Sequence, residues 1–121
     1  MLINFSNHPS QHWSKEQREA ASQWGEIEDL AFPAVPAHAD ETEVEDLACR
    51  QVERILEKNP TAVLCQGEFT LTYAVVKKLK EKGITVVSAC SERNTKEVYV
   101  EGISKKEIVF EFVRFREYGE K

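Results

Sequence analysis

The chain has 121 residues, near the commonest size for one domain, so it can bury one core but hardly two. Its 41% hydrophobic and 31% charged residues are typical of a folded globular domain and exclude general disorder. The net charge is −5 and no apolar run approaches the ~20 residues that span a bilayer, so neither duplex nucleic acid nor a membrane is an expected partner.

Strand and helix patterns alternate from the start of the chain. An apolar strand is predicted over residues 2–7, and a proline-containing turn ends it. Ser14 and Gln17 have the spacing of a capping box, so a helix begins there and Gly25 ends it. A second strand follows over residues 27–32.

The middle of the chain repeats this order. Asp40 and Glu43 form a second capping pair, and an amphipathic helix runs from them to the residues before Pro60. A short strand over residues 61–65 is apolar on both faces, as a central parallel strand should be. A third helix follows and ends at Gly83.

The last third reads as strands only. A fourth strand is predicted over residues 84–89, a turn over 90–94, and two further strands over 97–100 and 108–115. The predicted fold is therefore α/β, a Rossmann-like three-layer sandwich in which a parallel four-stranded sheet is extended by a C-terminal β-hairpin. One domain over residues 1–121 is expected. If each turn reverses the chain, the last strand points the same way as the first four.

Open α/β sheets bind ligands at the carboxyl ends of their strands, where strand order reverses. Three strand-end loops are rich in hydrogen-bonding groups, and we expect them to converge on one edge. The residues predicted to bind a ligand there are Ser6, Asn7 and His8, then Gly67, Glu68, Phe69 and Thr70, then Ser91, Glu92, Arg93 and Asn94, together with Arg114. The alternative is that Asn7 and Thr70 only form turns and caps.

His8 is the histidine best placed for acid–base chemistry, although it could equally be an ordinary turn residue. His12 lies four residues further on, but Pro9 argues against a shared helical face, and neither metal nor cofactor is expected. Trp13 could stack on a base or act as a hydrophobic staple before the helix. The sequence contains no motif of common NTPases, dehydrogenases or hydrolases.

Charged residues in these loops have two possible roles. Arg93, and Arg114 or Arg116, are natural phosphate partners, because a guanidinium group binds such oxygens bidentately. Glu68 could accept a hydrogen bond from an adenine amino group, or could simply favour the start of the third helix. Each could also be a solvated surface charge.

Three cysteines, Cys49, Cys65 and Cys90, are widely spaced and form no Cys-x-x-Cys pair. All three lie in apolar or amphipathic contexts, which predicts reduced core thiols and a cytoplasmic protein. Residues 1–7 enter a strand-like run without a charged leader, so no signal peptide is expected there.

Several segments together resemble one family. They are LINFSNHP at residues 2–9 with Trp13 and Ser14, GEFTLT at 67–72, ERN at 92–94 and FVRFREY at 112–118. With these segments the chain resembles the small CRISPR-associated Csx proteins of type III systems, which are similar to the CRISPR-associated Rossmann-fold (CARF) and ring nuclease superfamily. The resemblance extends over nearly the whole chain.

The resemblance implies that the protein binds a cyclic oligoadenylate, cyclic tetra-adenylate first among them, and lowers its free level by sequestration. Some relatives are metal-independent ring nucleases, so cleavage of the ring is an alternative, with His8, Arg93 or Glu68 assisting. A two-fold symmetric ring implies a homodimer or a larger assembly linked by the ligand. A protein-interaction module without nucleotide binding is a further alternative.

Overall fold

The computed structural model describes residues 1–119, which form an α/β protein with a five-stranded mixed sheet. Its elements in chain order are β1 (Leu2–Ser6), α1 (Lys15–Ala21), β2 (Ile27–Ala31), α2 (Glu41–Glu57), β3 (Ala62–Gln66), α3 (Phe69–Glu81), β4 (Thr85–Val100) and β5 (Ile103–Glu117), with 3₁₀ turns at Ser10–His12 and Ser22–Trp24. The predicted α/β class is confirmed. The last two residues of the predicted 1–121 domain lie outside the described residues.

The strand order is β2-β1-β3-β4-β5, which puts β1 and β3 inside the sheet. Strands β1 to β4 pair in parallel, and Asn4 of β1 lies level with Asp29 of β2 and Leu64 of β3. Every residue of β1 is buried, as a strand covered on both faces requires. β3 pairs with β4 only as far as Leu64 and Val87. Beyond that level β4 pairs with β5 alone.

Helices cover both faces of this sheet. α2 and α3 pack on one face over a core that includes Phe5, Ile55 and Val75. On the other face α1 covers a smaller core in which Trp13 and Phe115 lie with their ring centroids 6.1 Å apart. The core on the α2–α3 face of the sheet is therefore larger than the core on the α1 face.

Local capping signals position the first two helices as the sequence indicates. Ser14 Oγ accepts the Gln17 N–H at 3.1 Å, and Asp40 forms a capping box with Glu43. Both predicted helix starts are confirmed. The first helix is shorter than predicted, because α1 ends at Ala21 and a 3₁₀ turn completes the path to Gly25.

The predicted turn over residues 90–94 is wrong. These residues continue β4, so the strands predicted over 84–89 and 97–100 are one strand, and β5 begins five residues before the predicted 108. The segment is polar because both of its faces meet solvent, and cross-strand backbone pairing rather than burial keeps it extended.

The predicted direction of the last strand is also wrong. The chain reverses once, at Glu101 and Gly102, whose φ angles of 54° and 76° suit a two-residue hairpin turn. β5 is therefore antiparallel to β1–β4. The two strands project past the end of β3 as a hairpin over residues 91–112, here called the ribbon. One extra β5 residue, Val113, interrupts the pairing where the ribbon leaves the sheet.

No helix within residues 1–119 is both long enough and apolar enough to cross a membrane.

Candidate functional site

A cleft of about 640 Å³ opens at the carboxyl ends of β1 and β3, on the side of the sheet that carries α1. One wall is the turn after β1 with the start of α1, and the other is the ribbon. Its polar lining residues are Ser6, His8, His12, Ser14, Gln17, Gln66 and Ser91, and its apolar ones are Trp13, Leu64, Ala89, Phe110 and Phe112. Open α/β sheets generally bind ligands in the crevice outside the carboxyl ends of their strands.

A buried hydrogen-bond network fixes the turn that carries His8. Asn4, 1% exposed, donates from Nδ2 to the His8 carbonyl at 2.8 Å and to Asp29 Oδ1 at 2.9 Å. Ser6 Oγ donates to Asn4 Oδ1 at 2.6 Å and accepts the His8 N–H at 3.2 Å. Such a satisfied network holds the backbone of the turn in one conformation.

The 3₁₀ turn after it is held from the same side. Asp29 accepts the backbone N–H and the hydroxyl of Ser10 at 3.1 to 3.3 Å. Trp13 is 9% exposed and donates from Nε1 to the His8 carbonyl at 3.2 Å. Trp13 thus packs in the smaller core with Phe115 and also forms part of the cleft wall, while its roles as a helix staple and as a base-stacking ring stay predictions.

The floor of the cleft joins β3 to β4. Gln66 Oε1 accepts the Ala89 N–H at 2.6 Å, at the level where β4 leaves its β3 partner. This bond satisfies a strand N–H that has lost its ladder partner, which ties the base of the ribbon to the sheet.

The ribbon turns one face toward the cleft. Side chains alternate along a strand, and the pairs Ser91–Phe112 and Arg93–Phe110 follow each other on that face. Phe110 is 72% exposed. Arg93 therefore lies opposite Phe110 on the ribbon face that carries the cleft residues, although it is not itself part of the cleft lining. Glu92 belongs to the opposite face.

Three of the predicted ligand residues line the cleft, namely Ser6, His8 and Ser91. Arg93 lies on the same face of the ribbon, whereas Glu92 and Asn94 lie on the other face. Asn7 lines a separate hollow of about 190 Å³.

The segment from Gly67 to Thr70 lies outside the cleft lining. Glu68 caps α3: its carboxylate accepts the Thr70 hydroxyl and the Leu71 N–H, and these bonds, the first most of all, lower the pKa of Glu68 below its ordinary value. Phe69 is 90% exposed. The bonds made by Glu68 and Thr70 are those of a helix cap.

Arg114 lies apart from the cleft too. It lines a hollow of about 390 Å³ with Trp24 and Phe115, and its Nε donates to the Phe115 carbonyl at 3.1 Å. The predicted approach of Arg114 to the strand-end loops assumed a last strand parallel to the others, and β5 runs the opposite way.

Sequence reasoning did not assign the cleft residues His12, Ser14, Gln17, Gln66, Phe110 and Phe112 to the ligand site. The alternation of Ile108, Phe110 and Phe112 was a usable signal, since it places three apolar side chains on one strand face. Gln66 offers no such signal, because its role depends on where β4 separates from β3.

The cleft suits a ligand with several acceptors and a flat ring. Within residues 1–119 its lining includes no lysine or arginine, and no group of three or more metal-ligating side chains occurs. Hydroxyl, amide and imidazole groups are available for hydrogen bonds. Trp13, Phe110 and Phe112 supply aromatic surface.

Fold and cleft together define an α/β protein with a candidate small-ligand site at the carboxyl ends of parallel strands. The family described as "Uncharacterized protein MJ1673 family" matches residues 1–116, and the chain belongs to that family. No curated protein and no solved structure matches the chain significantly.

Proposed function

We propose that this protein binds a cyclic oligoadenylate, with cyclic tetra-adenylate as the first ring to test, and lowers its free concentration by holding it. The observation that supports this is the cleft itself, where hydroxyl, amide and imidazole groups face aromatic side chains at the ends of parallel strands. The proposal includes a Rossmann-like, CARF-like fold and a cytoplasmic location.

Each part of such a ligand has a matching group. Adenine can stack on the exposed ring of Phe110, since base–aromatic stacking tolerates any base. Arg93 beside it can bind a phosphate bidentately. Ser91 and Gln66 offer groups for ribose hydroxyls.

The acidic charge of the chain favours a compact ring over a long polyanion. Binding long nucleic acid requires many cationic contacts, and the cleft lining within residues 1–119 offers only imidazoles with Arg93 nearby. A ring has two-fold symmetry, so two copies of the cleft can contact opposite halves of one ligand in a ligand-linked homo-oligomer.

Calorimetric titration of the protein with rings of different size tests the proposal. Phe110→Ala is expected to weaken binding about 5- to 100-fold, the range for one lost base stack. Phe69→Ala is the matched control, because Phe69 is also a largely exposed phenylalanine but lies outside the cleft lining. Absence of heat with every ring, or equal losses in the two variants, contradicts the proposal.

The two arginines of the sequence prediction provide a second comparison. Arg93→Ala is expected to weaken binding roughly 10- to 100-fold, as the loss of a charge-assisted hydrogen bond does. Arg114→Ala should leave it unchanged, since Arg114 lies in a different hollow. The reverse order of effects would place the ligand in the hollow lined by Arg114, Trp24 and Phe115.

A metal-independent ring nuclease is the second candidate, favoured by His8 and His12 in one cleft. Imidazole can take a proton from a ribose 2′-hydroxyl as its oxygen attacks the adjacent phosphorus, and can protonate the departing 5′-oxygen. The ring opens to a linear chain with a 2′,3′-cyclic phosphate end. Incubation of labelled ring without metal separates the candidates: intact ring supports sequestration, and linear product lost in His8→Ala supports cleavage.

A further inference from the structure

The outer edge of β5 is long and unprotected. Nearly every side chain from residue 103 to 111 is exposed, including Ile108 at 54% and Phe110 at 72%, and this stretch contains no proline. The opposite edge strand, β2, has only five residues and carries Glu28 and Asp29. Short charged edges resist pairing with other chains, whereas long apolar edges invite it.

The turn at the tip determines which backbone groups point outward. Glu101 and Gly102 both have positive φ, so Val100 and Ile103 close a type I′ turn as a hydrogen-bonded pair. Hydrogen-bonded and non-hydrogen-bonded pairs alternate from there, which makes Ile108 and Thr95 a non-hydrogen-bonded pair. The N–H and C=O of Ile108 therefore face the free edge.

Charge along β5 favours one register over its two nearest neighbours for pairing with a copy of itself. Two antiparallel copies must align residues that share a face, so their symmetry axis passes through a single residue. With the axis at Ile108, Lys105 lies opposite Glu111 of the partner subunit. An axis at 107 sets Glu107 against itself, and an axis at 109 sets it against Glu111 of the partner subunit.

The same register also brings the apolar side chains of the two β5 strands together. Ile108 meets its own copy at the axis, and Phe110 flanks it on the cleft-facing side of each ribbon. Isolated two-stranded ribbons are marginally stable in water, so a second ribbon supplies the neighbour that each one lacks. Each cleft then opens on the same side of one continuous sheet.

We infer that the ligand-free protein forms a homodimer by antiparallel pairing of the β5 edges about Ile108. The inference is independent of the proposed ligand, because every contact in it is made by the chain itself.

Charge reversal tests the partner and the register by sedimentation without nucleotide. Lys105→Glu should weaken dimerisation about 10-fold or more, because two symmetry-related cross-strand pairs change from attractive to repulsive. Adding Glu111→Lys should restore it. Lys106→Glu is the matched control, since Lys106 lies opposite Phe110 of the partner subunit. A monomeric wild type, or a double variant no tighter than Lys105→Glu, overturns the inference.

Disulfide trapping tests the register directly, in a Cys49→Ser, Cys90→Ser background. Ile108→Cys should cross-link on mild oxidation, because hydrogen-bonded partners have Cα atoms about 5.5 Å apart, within the disulfide range. Ser104→Cys should not, since the two copies of residue 104 would be about 27 Å apart. Cross-linking through position 104, or none at 108, refutes the register. Circular dichroism checks that each variant is folded.

Discussion

Gly67 follows β3 directly, and the ring of Phe32 occupies the space where a side chain at this position would project. A Cβ atom built there would lie 2.5 Å from the nearest carbons of that ring. Only glycine permits the two segments to approach so closely. The ring of Phe32 thus excludes any side chain at position 67.

We expect Gly67→Ala to lower the free energy of unfolding by about 1–3 kcal/mol, the usual cost of forcing an extra carbon into a packed site. Urea denaturation measures it. The double variant Gly67→Ala, Phe32→Leu should recover part of the loss, because leucine leaves room for the methyl group. A neutral Gly67→Ala would mean that Phe32 moves aside freely.

Cys65 makes the stability of the fold sensitive to alkaline pH. Burial raises the pKa of its thiol to about 12, whereas the thiol of the unfolded chain ionises near its ordinary 9.0. Between those values unfolding releases a proton, so the free energy of unfolding should fall by about 1.4 kcal/mol per pH unit from this group. In Cys65→Ala this part of the slope should vanish. Equal slopes in both proteins above pH 9 would contradict the assignment.

The three cysteines differ in environment. Cys65 is buried, Cys90 is partly buried and Cys49 is exposed on α2. The prediction of a core thiol is confirmed for Cys65 and is wrong for Cys49, because position 49 falls on the solvent face of an amphipathic helix.

At the scale of elements, the turn after β1 depends on one buried side chain. Asn4→Ala removes the donor to the His8 carbonyl and to Asp29, and it leaves the Ser6 hydroxyl with only the His8 carbonyl, 3.4 Å away, as acceptor. The loss should be about 1–3 kcal/mol of unfolding free energy, with faster hydrogen exchange at the His8 amide. Asn7→Ala is the matched control, since Asn7 is exposed in the same turn. Similar effects of the two substitutions would rule out this role for Asn4.

Elements that bury one face could be predicted from the sequence, and those that bury neither could not. α2 carries a clear periodicity because one core selects its apolar positions, and β1 is recognisable as a short apolar run because both of its faces are buried. The ribbon carries none over residues 91–97, since both faces meet solvent there and polar residues are as acceptable as in a loop. Because this stretch was predicted as a loop, Glu92 and Asn94 were predicted to bind the ligand. Ser6 and His8 could be predicted correctly because the buried apolar run of β1 ends next to them.

At the scale of the whole molecule, residues 95–108 of the ribbon contribute to neither core. Replacing residues 95–108 with Asn-Gly would join Asn94 to Val109, a hydrogen-bonded pair, through a favoured hairpin turn. The monomer should keep its free energy of unfolding within about 1 kcal/mol, because isolated ribbons add little stability. Dimerisation should be lost, and the cleft wall formed by Ser91 and Phe112 should remain. A loss of several kcal/mol would instead make the ribbon part of the core.

The extra residue Val113 determines whether odd-numbered or even-numbered residues of β5 face the α1 side of the sheet. Phe115 faces the α1 core at an odd number, whereas Phe112 and Phe110 reach the same side at even numbers because the count slips by one between them. Without that slip the aromatic column would rotate to the α2–α3 side, and Glu111 would line the opening instead. Because the ladder leaves Val113 out as a bulge instead of pairing it with Ser91, this opening offers aromatic rings and not a carboxylate to whatever enters it.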